Sequence, residues 1–421
     1  MVEYIDKSYR PDKKDDMVCE YFIEPNKITL EKACEHLAGE SSIGTWTDIS
    51  TMSPDIAKNL KPHVYSIDKK TNTIKVAYNR ELFEDGSIPQ ILSSVAGNIY
   101  GMKALKSLRL LDITFPKRMI KHFPGPRHGI QGIRKLLKVK ERPLTGTIVK
   151  PKVGLSSSMH ANVAYNSWAG GLDIVKDDEN LTDQTFNRFE ERVIRTLDMR
   201  DRAESETGEK KVYMPNITAE TAEMIRRADF VKDHGGEYIM IDIVTAGFSG
   251  LQSVRRHCKQ VIHGHRAMHA ALTRNPNMGM TMLTLAKLSR LAGTDQLHIG
   301  TAVGKMEGSA ADVSEIGHEI EDSFIRPKGH VLEQDWEHLK PVFAVCSGGM
   351  HPGIIPPLMK NMGKNIIIQC GGGVHGHPDG TTAGATAVRQ AVDAVMKKKN
   401  IKDYAKTHRE LDKALEKWGT G

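Results

Sequence analysis

Two lysines flank a proline at the end of one apolar segment of this chain. The segment GTIVKP (146–151) ends in Lys150 and Pro151, and Lys152 follows directly. Side chains two positions apart on a strand point to the same side, so both ammonium groups can face one site. Mutual repulsion, or a nearby metal cation, would lower their pKa values, so that one could act as a neutral base while the other binds a phosphate. Surface lysines beside a proline would give the same pattern, so this pair alone is weak evidence.

A lysine and three acidic residues follow a second apolar segment. LDIVKD (172–177) brings Lys176 and Asp177, and Asp178 and Glu179 come next. Neighbouring carboxylates provide the oxygen ligands that a hard cation such as Mg²⁺ requires. Lys176 can be an ordinary ion-pair partner of these acids. Alternatively, its neutral amine captures CO2 and becomes an N-carboxylate, an additional oxygen ligand that metal binding would stabilise.

Three histidines and an arginine lie within the seven residues 263–269. One interpretation is a zinc site formed by the pair His263 and His265. Another is a set of donors to phosphate and hydroxyl groups, in which Arg266 makes a bidentate phosphate contact. The simplest interpretation of His263 and His269 is that they are supporting groups with satisfied hydrogen bonds.

Glycine-rich segments follow the last three apolar runs. Glycines at 300, 304 and 308 surround Lys305, a pattern typical of a mobile loop that delivers a cation, although an ordinary loop after a strand would look the same. Gly348 and Gly349 follow the next run, and Gly371 and Gly372 follow the last one. Backbone N–H groups of such glycines can hold a phosphate, so the two pairs together predict a phosphate site.

Eight short runs rich in β-branched residues carry these residues. Most are separated by stretches long enough for a helix, which predicts parallel strands in βαβ units. Eight such units predict a (β/α)8 barrel, whose active site is built from the loops at the carboxyl ends of the strands. The runs are GTIVKP (146–151), LDIVKD (172–177), VYMPNI (212–217), YIMIDIV (238–244), QVIHGH (260–265), QLHIGT (296–301), VFAVCS (342–347) and NIIIQC (365–370).

The N-terminal part of the chain has a different rhythm, in which strands and helices alternate without long crossovers. This pattern predicts a compact α+β domain, and the Gly- and Pro-rich stretch 123–132 predicts its boundary. The predicted elements are a strand at 19–25, a helix at 28–39, a hairpin at 63–79, a helix at 87–97 and a strand at 108–116.

The composition excludes several classes of protein. The 421 residues are 39% hydrophobic and 26% charged, which is typical of a globular protein. No apolar run approaches the ~20 residues of a membrane helix, and the polar N-terminus is unlike a signal peptide. Five scattered cysteines without a CxxC pair indicate neither a zinc ribbon nor a disulfide framework, so we expect a cytoplasmic protein. The net charge of +7 suits a phosphorylated substrate, and no motif indicates nucleic-acid binding.

Taken in order, these motifs resemble the large subunit of ribulose-1,5-bisphosphate carboxylase/oxygenase (RuBisCO), specifically its archaeal form III. The resemblance covers nearly the whole chain. It implies an N-terminal α+β (ferredoxin-like) domain over 1–125 and a (β/α)8 TIM barrel catalytic domain over 126–421. It rests on GTIVKPKVG, GGLDIVKDDEN, HGHRAMHA, HIGTAVGKMEG, CSGG and IQCGGG, and on GESSIGTWTDI and VAGNIYGMKAL near the N-terminus.

The resemblance also implies a role for each residue of the site. Lys176 would carry a carbamate formed from activator CO2 and would bind Mg²⁺ together with Asp178 and Glu179. Lys150 would assist enolisation and protonate the product carbanion, and Lys305 would polarise the incoming CO2. His265 would act near the C3 hydroxyl group. The other substrate contacts within the subunit would come from Lys152, Arg266, His298, Ser347, Gly348, Gly349, Gln369, Gly371 and Gly372. The partner subunit would contribute Glu40, Thr45, Trp46 and Asn98.

The implied reaction is the carboxylation of ribulose 1,5-bisphosphate by CO2 and water to two molecules of 3-phosphoglycerate. It would pass through an enediolate held by Mg²⁺, and O2 would compete with CO2. The resemblance implies a homodimer with shared active sites, able to assemble into larger oligomers. No small subunit, nucleic acid or membrane partner is expected.

Three alternatives stay open at this point. A RuBisCO-like enolase would act on a diketo-pentyl phosphate, but such proteins typically replace several residues that are retained here. Amidohydrolase-type and enolase-type barrels share single features but differ in the order or spacing of their ligands. A non-catalytic basic binding protein would not need the acidic cluster. The long acidic segment 315–338 is either a subunit contact or a solvated helix and turn.

Overall fold

The computed structural model describes residues 2–45, 47, 49–303 and 309–420. Its strands are β1 (Asp16–Pro25), β2 (His63–Asp68), β3 (Thr73–Asn79), β4 (Leu105–Thr114), β5 (Leu144–Ile148), β6 (Ile174–Lys176), β7 (Val212–Met214), β8 (Tyr238–Asp242), β9 (Val261–His265), β10 (Gly279–Met280), β11 (Gln296–Gly300), β12 (Phe324–Ile325), β13 (Gln334–Asp335), β14 (Phe343–Ser347) and β15 (Ile366–Gln369).

The α-helices connect these strands, and among the described residues none is both long and apolar enough to cross a membrane. They are α1 (Leu30–Glu40), α2 (Pro54–Leu60), α3 (Ile88–Val95), α4 (Lys117–Ile120), α5 (Gly129–Leu137), α6 (Ser157–Ala169), α7 (Phe189–Thr207), α8 (Thr221–Asp233), α9 (Gly247–His257), α10 (His269–Thr273), α11 (Met282–Ala292), α12 (Ala310–Glu321), α13 (Ile355–Met362), α14 (Gly372–His375), α15 (Gly380–Met396), α16 (Ile401–Ala405) and α17 (Arg409–Trp418). Short 3-10 helices cover Arg80–Leu82, Asn98–Gly101 and Pro352–Ile354.

The chain forms two compact units. The first consists of Met1–Gly125, Met268–Ala292 and Asp322–Leu339, and the second consists of Pro126–Ala267, Gly293–Glu321 and Lys340–Gly421.

The sheet of the first unit has the ferredoxin-like order. Strands β4, β1, β3 and β2 lie side by side and antiparallel, and α1 and α3 complete the βαββαβ pattern. The side chain of Thr29 caps α1 by accepting a hydrogen bond from Lys32 N, and the helix buries Ala33, Cys34 and Leu37. The predicted α+β fold of this part is therefore confirmed.

Two later segments of the chain complete this first unit. Strand β10 extends the sheet by pairing parallel to β4, and β12 pairs with β13 as a short hairpin. Lys287 on α11 donates to Asp112 on β4 at 2.8 Å, and both side chains are fully buried. Trp336, just after the hairpin, is also fully buried, so the end of the 315–338 segment packs in this unit, while the turn at 326–330 is exposed to solvent.

The second unit is a closed parallel barrel. Its strands follow the order β7, β6, β5, β15, β14, β11, β9, β8, and a parallel bridge between Asn216 and Met240 joins the two ends. Met240 N donates to Pro215 O at 2.9 Å, and Ile217 N donates to Met240 O at 3.0 Å. All eight predicted runs form these strands, so the predicted (β/α)8 barrel is confirmed.

An apolar cluster fills the amino-terminal half of the barrel. Inward side chains from seven strands pack there with one face of α5, and all are at most 2% exposed. Because this half is closely packed, it supports the polar residues at the opposite, carboxyl ends of the strands. The cluster consists of Ile130, Ile133, Leu137, Leu144, Ile174, Val212, Met214, Tyr238, Val261, Phe343, Val345 and Ile367.

Candidate active site

Lys176 lies at the carboxyl end of β6 and is almost completely buried, with 1% of its surface exposed. Its Nζ donates to Asp177 O at 2.8 Å and contacts Met240 Sδ at 3.3 Å, and Glu179 Oε2 lies 3.8 Å away. Burial lowers the pKa of Lys176, while Glu179 and Asp178 oppose that effect. The environment thus favours the neutral amine, the form that reacts with CO2.

Two lysines pair with the two carboxylates that follow Lys176 in the sequence. Lys150 Nζ donates to Asp178 Oδ2 at 2.6 Å, and Lys152 Nζ lies 3.7 Å from Glu179 Oε1. Burial alone would raise the pKa of Asp178, but the hydrogen bond and charge of Lys150 hold it below its ordinary value. The two lysine positions predicted from the KPK pattern therefore face the two acids predicted as metal ligands.

Asp177, between these residues in the sequence, belongs to a different network. It is fully buried and accepts hydrogen bonds from Arg192 Nε at 3.1 Å, Tyr213 OH at 2.7 Å and Asn216 N at 3.0 Å. Burial alone would raise its pKa, yet Arg192 and the hydrogen bonds hold that pKa well below its usual range. Asp177 thus ties β6 to α7 and β7, and its carboxylate is already saturated.

His265 at the end of β9 connects the acidic cluster to a further carboxylate. Its Nε2 lies 3.7 Å from Glu179 Oε2, and its Nδ1 lies 3.4 Å from Asp242 Oδ1. Asp242 also accepts from Ala267 N at 2.7 Å, which fixes the loop after His265. The sequence analysis did not single out Asp242, although its position near the end of the run YIMIDIV (238–244) was the available signal.

Arg266 and His298 form a buried pair. Arg266 Nε donates to His298 Nδ1 at 2.9 Å, so the neutral imidazole carries its proton on Nε2, which stays available as a donor. Burial lowers the pKa of Arg266 to about 10 and lowers that of His298 well below its ordinary value. Gly300 (φ +97°) makes room for the arginine, since a Cβ there would lie 2.6 Å from Arg266 Nη2. The packing role of Gly300 was not predicted.

The two glycine loops lie against each other. The first is Ser347–Gly349, with positive φ at Gly348 and Gly349, and the second is Gly371–Gly373. A Cβ on Gly373 would lie 2.3 Å from Met350 O, so the second loop contacts the backbone directly after the first loop. Gln369, at the end of β15, is fully buried, and its amide has no protein hydrogen-bond partner among the described residues.

The remaining predicted site residues lie elsewhere. Glu40 is the last residue of α1, Thr45 follows it and is exposed, and both line a cavity of about 1200 Å³ in the first unit. Asn98 is exposed at the start of a 3-10 helix in the same unit. Trp46 and Lys305 lie outside the described residues.

The residues around Lys176 fit a divalent cation that prefers oxygen ligands. Within the described ranges, no set of three His, Cys, Asp or Glu side chains is placed to bind a metal, so the zinc interpretation finds no support. Asp178 and Glu179 offer two carboxylates beside Lys176, and carboxylation of this lysine would add the third. The fold and this site define a class of (β/α)8 barrel proteins in which a buried lysine and adjacent acids lie beside paired glycine loops.

Comparison with known proteins identifies the family. Residues 3–119 match the N-terminal domain of the ribulose bisphosphate carboxylase large chain, and residues 129–418 match its catalytic domain. The chain is 55% identical to a ribulose bisphosphate carboxylase of Methanosarcina acetivorans (99% of each chain covered) and 52% identical to one of Methanocaldococcus jannaschii (99% of this chain, 100% of the relative).

Solved structures similar to this chain belong to the same family. A dimeric archaeal RuBisCO from Hyperthermus butylicus has a TM-score of 0.94 at 46% identity, covering 100% of this chain and 99% of that one. An octameric RuBisCO from Pyrococcus horikoshii, solved with a sulfate ion, has a TM-score of 0.93 at 47% identity, covering 100% and 98%. The chain belongs to the RuBisCO large-chain family.

Proposed function

We propose that this protein carboxylates ribulose 1,5-bisphosphate, with CO2 and water, to two molecules of 3-phosphoglycerate. The observation that carries the proposal is the buried Lys176, whose amine lies 3.8 Å from Glu179. Lys150 pairs with the neighbouring Asp178, and His265 lies 3.7 Å from Glu179. The carboxylases named among its relatives are 52% and 55% identical to the chain over nearly its whole length, which supports the same activity.

The metal ligands would be Asp178, Glu179 and a carbamate on Lys176. The carbamate forms when the neutral Nζ attacks CO2 and releases one proton, and burial of Lys176 favours the required neutral amine. When bound, Mg²⁺ would withdraw electron density from the C2 and C3 oxygens of the substrate and so make the C3 proton more acidic.

The side chains of the site would then move the protons. A carbamate oxygen on Lys176 would accept the C3 proton, which leaves an enediolate. His265, held by Asp242, would keep its Nε2 directed toward the reacting hydroxyl group. After CO2 adds at C2 and water adds at C3, the C2–C3 bond breaks, and the ammonium of Lys150 would protonate the C2 carbanion of one product.

The basic and glycine-rich residues would bind the two phosphates. Arg266 retains its positive charge at neutral pH even though burial lowers its pKa to about 10. Backbone N–H groups in the loops Ser347–Gly349 and Gly371–Gly373 would bind a phosphate, with further contacts from Lys152. Lys305 would contact the incoming CO2. Oxygen would compete with CO2 for the same enediolate.

A homodimer would complete the site. Glu40, Thr45, Trp46 and Asn98 would reach the barrel of the partner subunit, so neither site would work in a monomer. A dimeric and an octameric relative are both known, which supports an assembly built from dimers. No small subunit would be required.

The test is fixation of labelled bicarbonate into acid-stable 3-phosphoglycerate by the anaerobic protein with Mg²⁺. We expect label with the wild type, no label with Lys176→Ala, and wild-type rates with Lys232→Ala, an exposed lysine on α8. Before substrate is added, the wild type but not Lys176→Ala should retain labelled CO2 in the presence of Mg²⁺. A folded, dimeric wild type that fixes no label would contradict the proposal.

A further inference from the structure

The C-terminal helix α17 contacts the segments that follow both glycine loops. The indole ring of Trp418 lies 5.9 Å from the imidazole ring of His351 and 6.5 Å from that of His377, measured between ring centroids. His351 follows the loop Ser347–Gly349, and His377 follows the loop Gly371–Gly373. The Trp418 side chain thus packs against both segments.

Backbone contacts strengthen this arrangement. Lys417 Nζ donates to Gly376 O at 2.5 Å, and Trp418 Cζ2 lies 3.5 Å from the position that a Cβ on Gly376 would occupy. A Cβ on Gly353 would lie 1.9 Å from Gly419 O, so the residue after the helix touches the backbone of the Pro352–Ile354 turn. The end of α17 therefore contacts the backbone of both segments, through the Lys417 side chain at Gly376 and through Gly419 O at Gly353.

The two histidines depend on the helix in different ways. His377 Nε2 donates to Glu410 O at 2.9 Å and its Nδ1 accepts from Asp379 N at 3.0 Å, so hydrogen bonds fix its ring and tautomer. His351 Nδ1 is buried and has no hydrogen-bond partner among the described residues. Packing against Trp418 is therefore a major restraint on the orientation of the His351 ring.

A shift of His351 would reach the phosphate loops directly. A Cβ on Gly373 would lie 2.7 Å from His351 Cα and 2.3 Å from Met350 O, so the backbone directly after the first loop packs closely against the second loop. The end of α17 contacts both of the segments that meet here, His351 on one side and Gly376 and His377 on the other. The position of the loops relative to each other is thus coupled to the C-terminal helix.

We propose that Trp418 and Lys417 are positioning residues that hold the two glycine loops in the geometry that binds a substrate phosphate. The inference rests on the proposed function, because it takes the glycine loops to be the phosphate site. It assigns a role in substrate binding to α17, a helix that would not itself contact the substrate. Neither residue is required for the proton transfers at Lys176 and Lys150.

The experiment compares the wild type with Trp418→Ala, Trp418→Phe and Lys417→Met, and with Glu416→Ala, an exposed residue of the same helix, as the matched control. Carboxylation is measured against ribulose 1,5-bisphosphate concentration, and inorganic phosphate is used both as a competitive inhibitor and as a ligand in calorimetric titration. Thermal unfolding and the oligomeric state are recorded for each variant.

For Trp418→Ala we expect KM and the phosphate Ki to rise together by about tenfold, equivalent to ~1.4 kcal/mol, with kcat within about twofold of the wild type. Trp418→Phe keeps an aromatic ring and should show a rise of about two- to threefold, as should Lys417→Met, because each loses part of the contact. Glu416→Ala should match the wild type. If Trp418→Ala does not fold, the two milder variants provide the test, since Lys417 is exposed and the ring of Phe is retained.

Unchanged KM and Ki in all three variants would overturn the inference, as would a loss of kcat or of melting temperature without any change in phosphate affinity. The latter result would mean that α17 only stabilises the fold. A wild type that binds phosphate but fixes no CO2 would refute the proposed function alone, since the calorimetric comparison still tests the loops. A wild type that fixes CO2 but binds no phosphate would refute the inference alone, and one that does neither would refute both.

Discussion

Adjacent acids in the segment Lys176–Glu179 should respond to mutation in opposite ways. Asp177→Asn should destabilise the protein, whereas Asp178→Asn should leave it folded and inactive. Asp177 is 0% exposed and pairs with Arg192, which is also 0% exposed. Asp178 faces Lys150, whose side chain is 29% exposed and can be hydrated when its partner is lost.

The cost of each substitution in unfolding free energy depends on the environment of the cation that loses its carboxylate partner. Asn at 177 would place an amide against the Arg192 guanidinium, leaving a buried charge without compensation, which costs about 3–5 kcal/mol. For a barrel unit of this size that corresponds to a fall in melting temperature on the order of 10 °C. At 178 the lost hydrogen-bonded ion pair costs about 2 kcal/mol. Loss of the metal ligand proposed at 178, however, should lower carboxylation by more than ~100-fold, beyond the effect of an outer-shell residue.

The assay is denaturant unfolding together with carboxylation at saturating Mg²⁺ and CO2 on the same preparations. Asp178→Asn should unfold close to the wild-type midpoint while fixing almost no label, and the Asp177→Asn protein that remains folded should retain activity. The opposite pattern, a stable but inactive Asp177→Asn or an active Asp178→Asn, would refute the division of roles between the two carboxylates.

Further predictions concern the neighbouring residues. Gly300→Ala should raise KM for ribulose 1,5-bisphosphate in steady-state kinetics, because φ is +97° there and the new Cβ would lie 2.6 Å from Arg266 Nη2; an unchanged KM would contradict the packing argument. Burial lowers the pKa of Lys176. At fixed dissolved CO2, the rate at which Lys176 is carboxylated should therefore rise with pH and reach half its maximum below pH 10.5, the ordinary lysine pKa. A midpoint at or above pH 10.5 would contradict a buried amine. Mixing inactive Glu40→Gln with inactive Lys176→Ala should restore part of the carboxylation through hybrid dimers; no recovery after subunit exchange would argue against shared sites.

Local patterns were sufficient to predict the barrel. Each of the eight strands is a short run of β-branched residues between helix-sized stretches, and in a closed parallel barrel such strands are buried on both faces. The carboxyl ends of those strands must meet at one edge, so the clustering of Lys150, Lys176 and His265 was predictable from their positions at the ends of runs.

Side-chain direction was not predictable in the same way. Asp177 and Asp178 are chemically identical neighbours, and only the structure separates the buried partner of Arg192 from the partner of Lys150. The contact between Gly300 and Arg266 joins residues of different strands, and no local pattern encodes it. The contacts of Trp418 with the loops depend in the same way on residues distant in sequence.

The composition of the first unit has a consequence for the order in which the protein can be made. Asp112 is fully buried, and, beyond the N–H of the adjacent Ile113, its partners are Lys287 and the backbone N–H of Leu332. When residues 1–125 leave the ribosome, neither partner has been synthesised, and strand β4 lacks the neighbour that β10 later provides. A nascent chain with an uncompensated buried carboxylate cannot reach its final packing. Completion of the N-terminal unit must therefore wait for residues up to 339, when most of the barrel has already emerged.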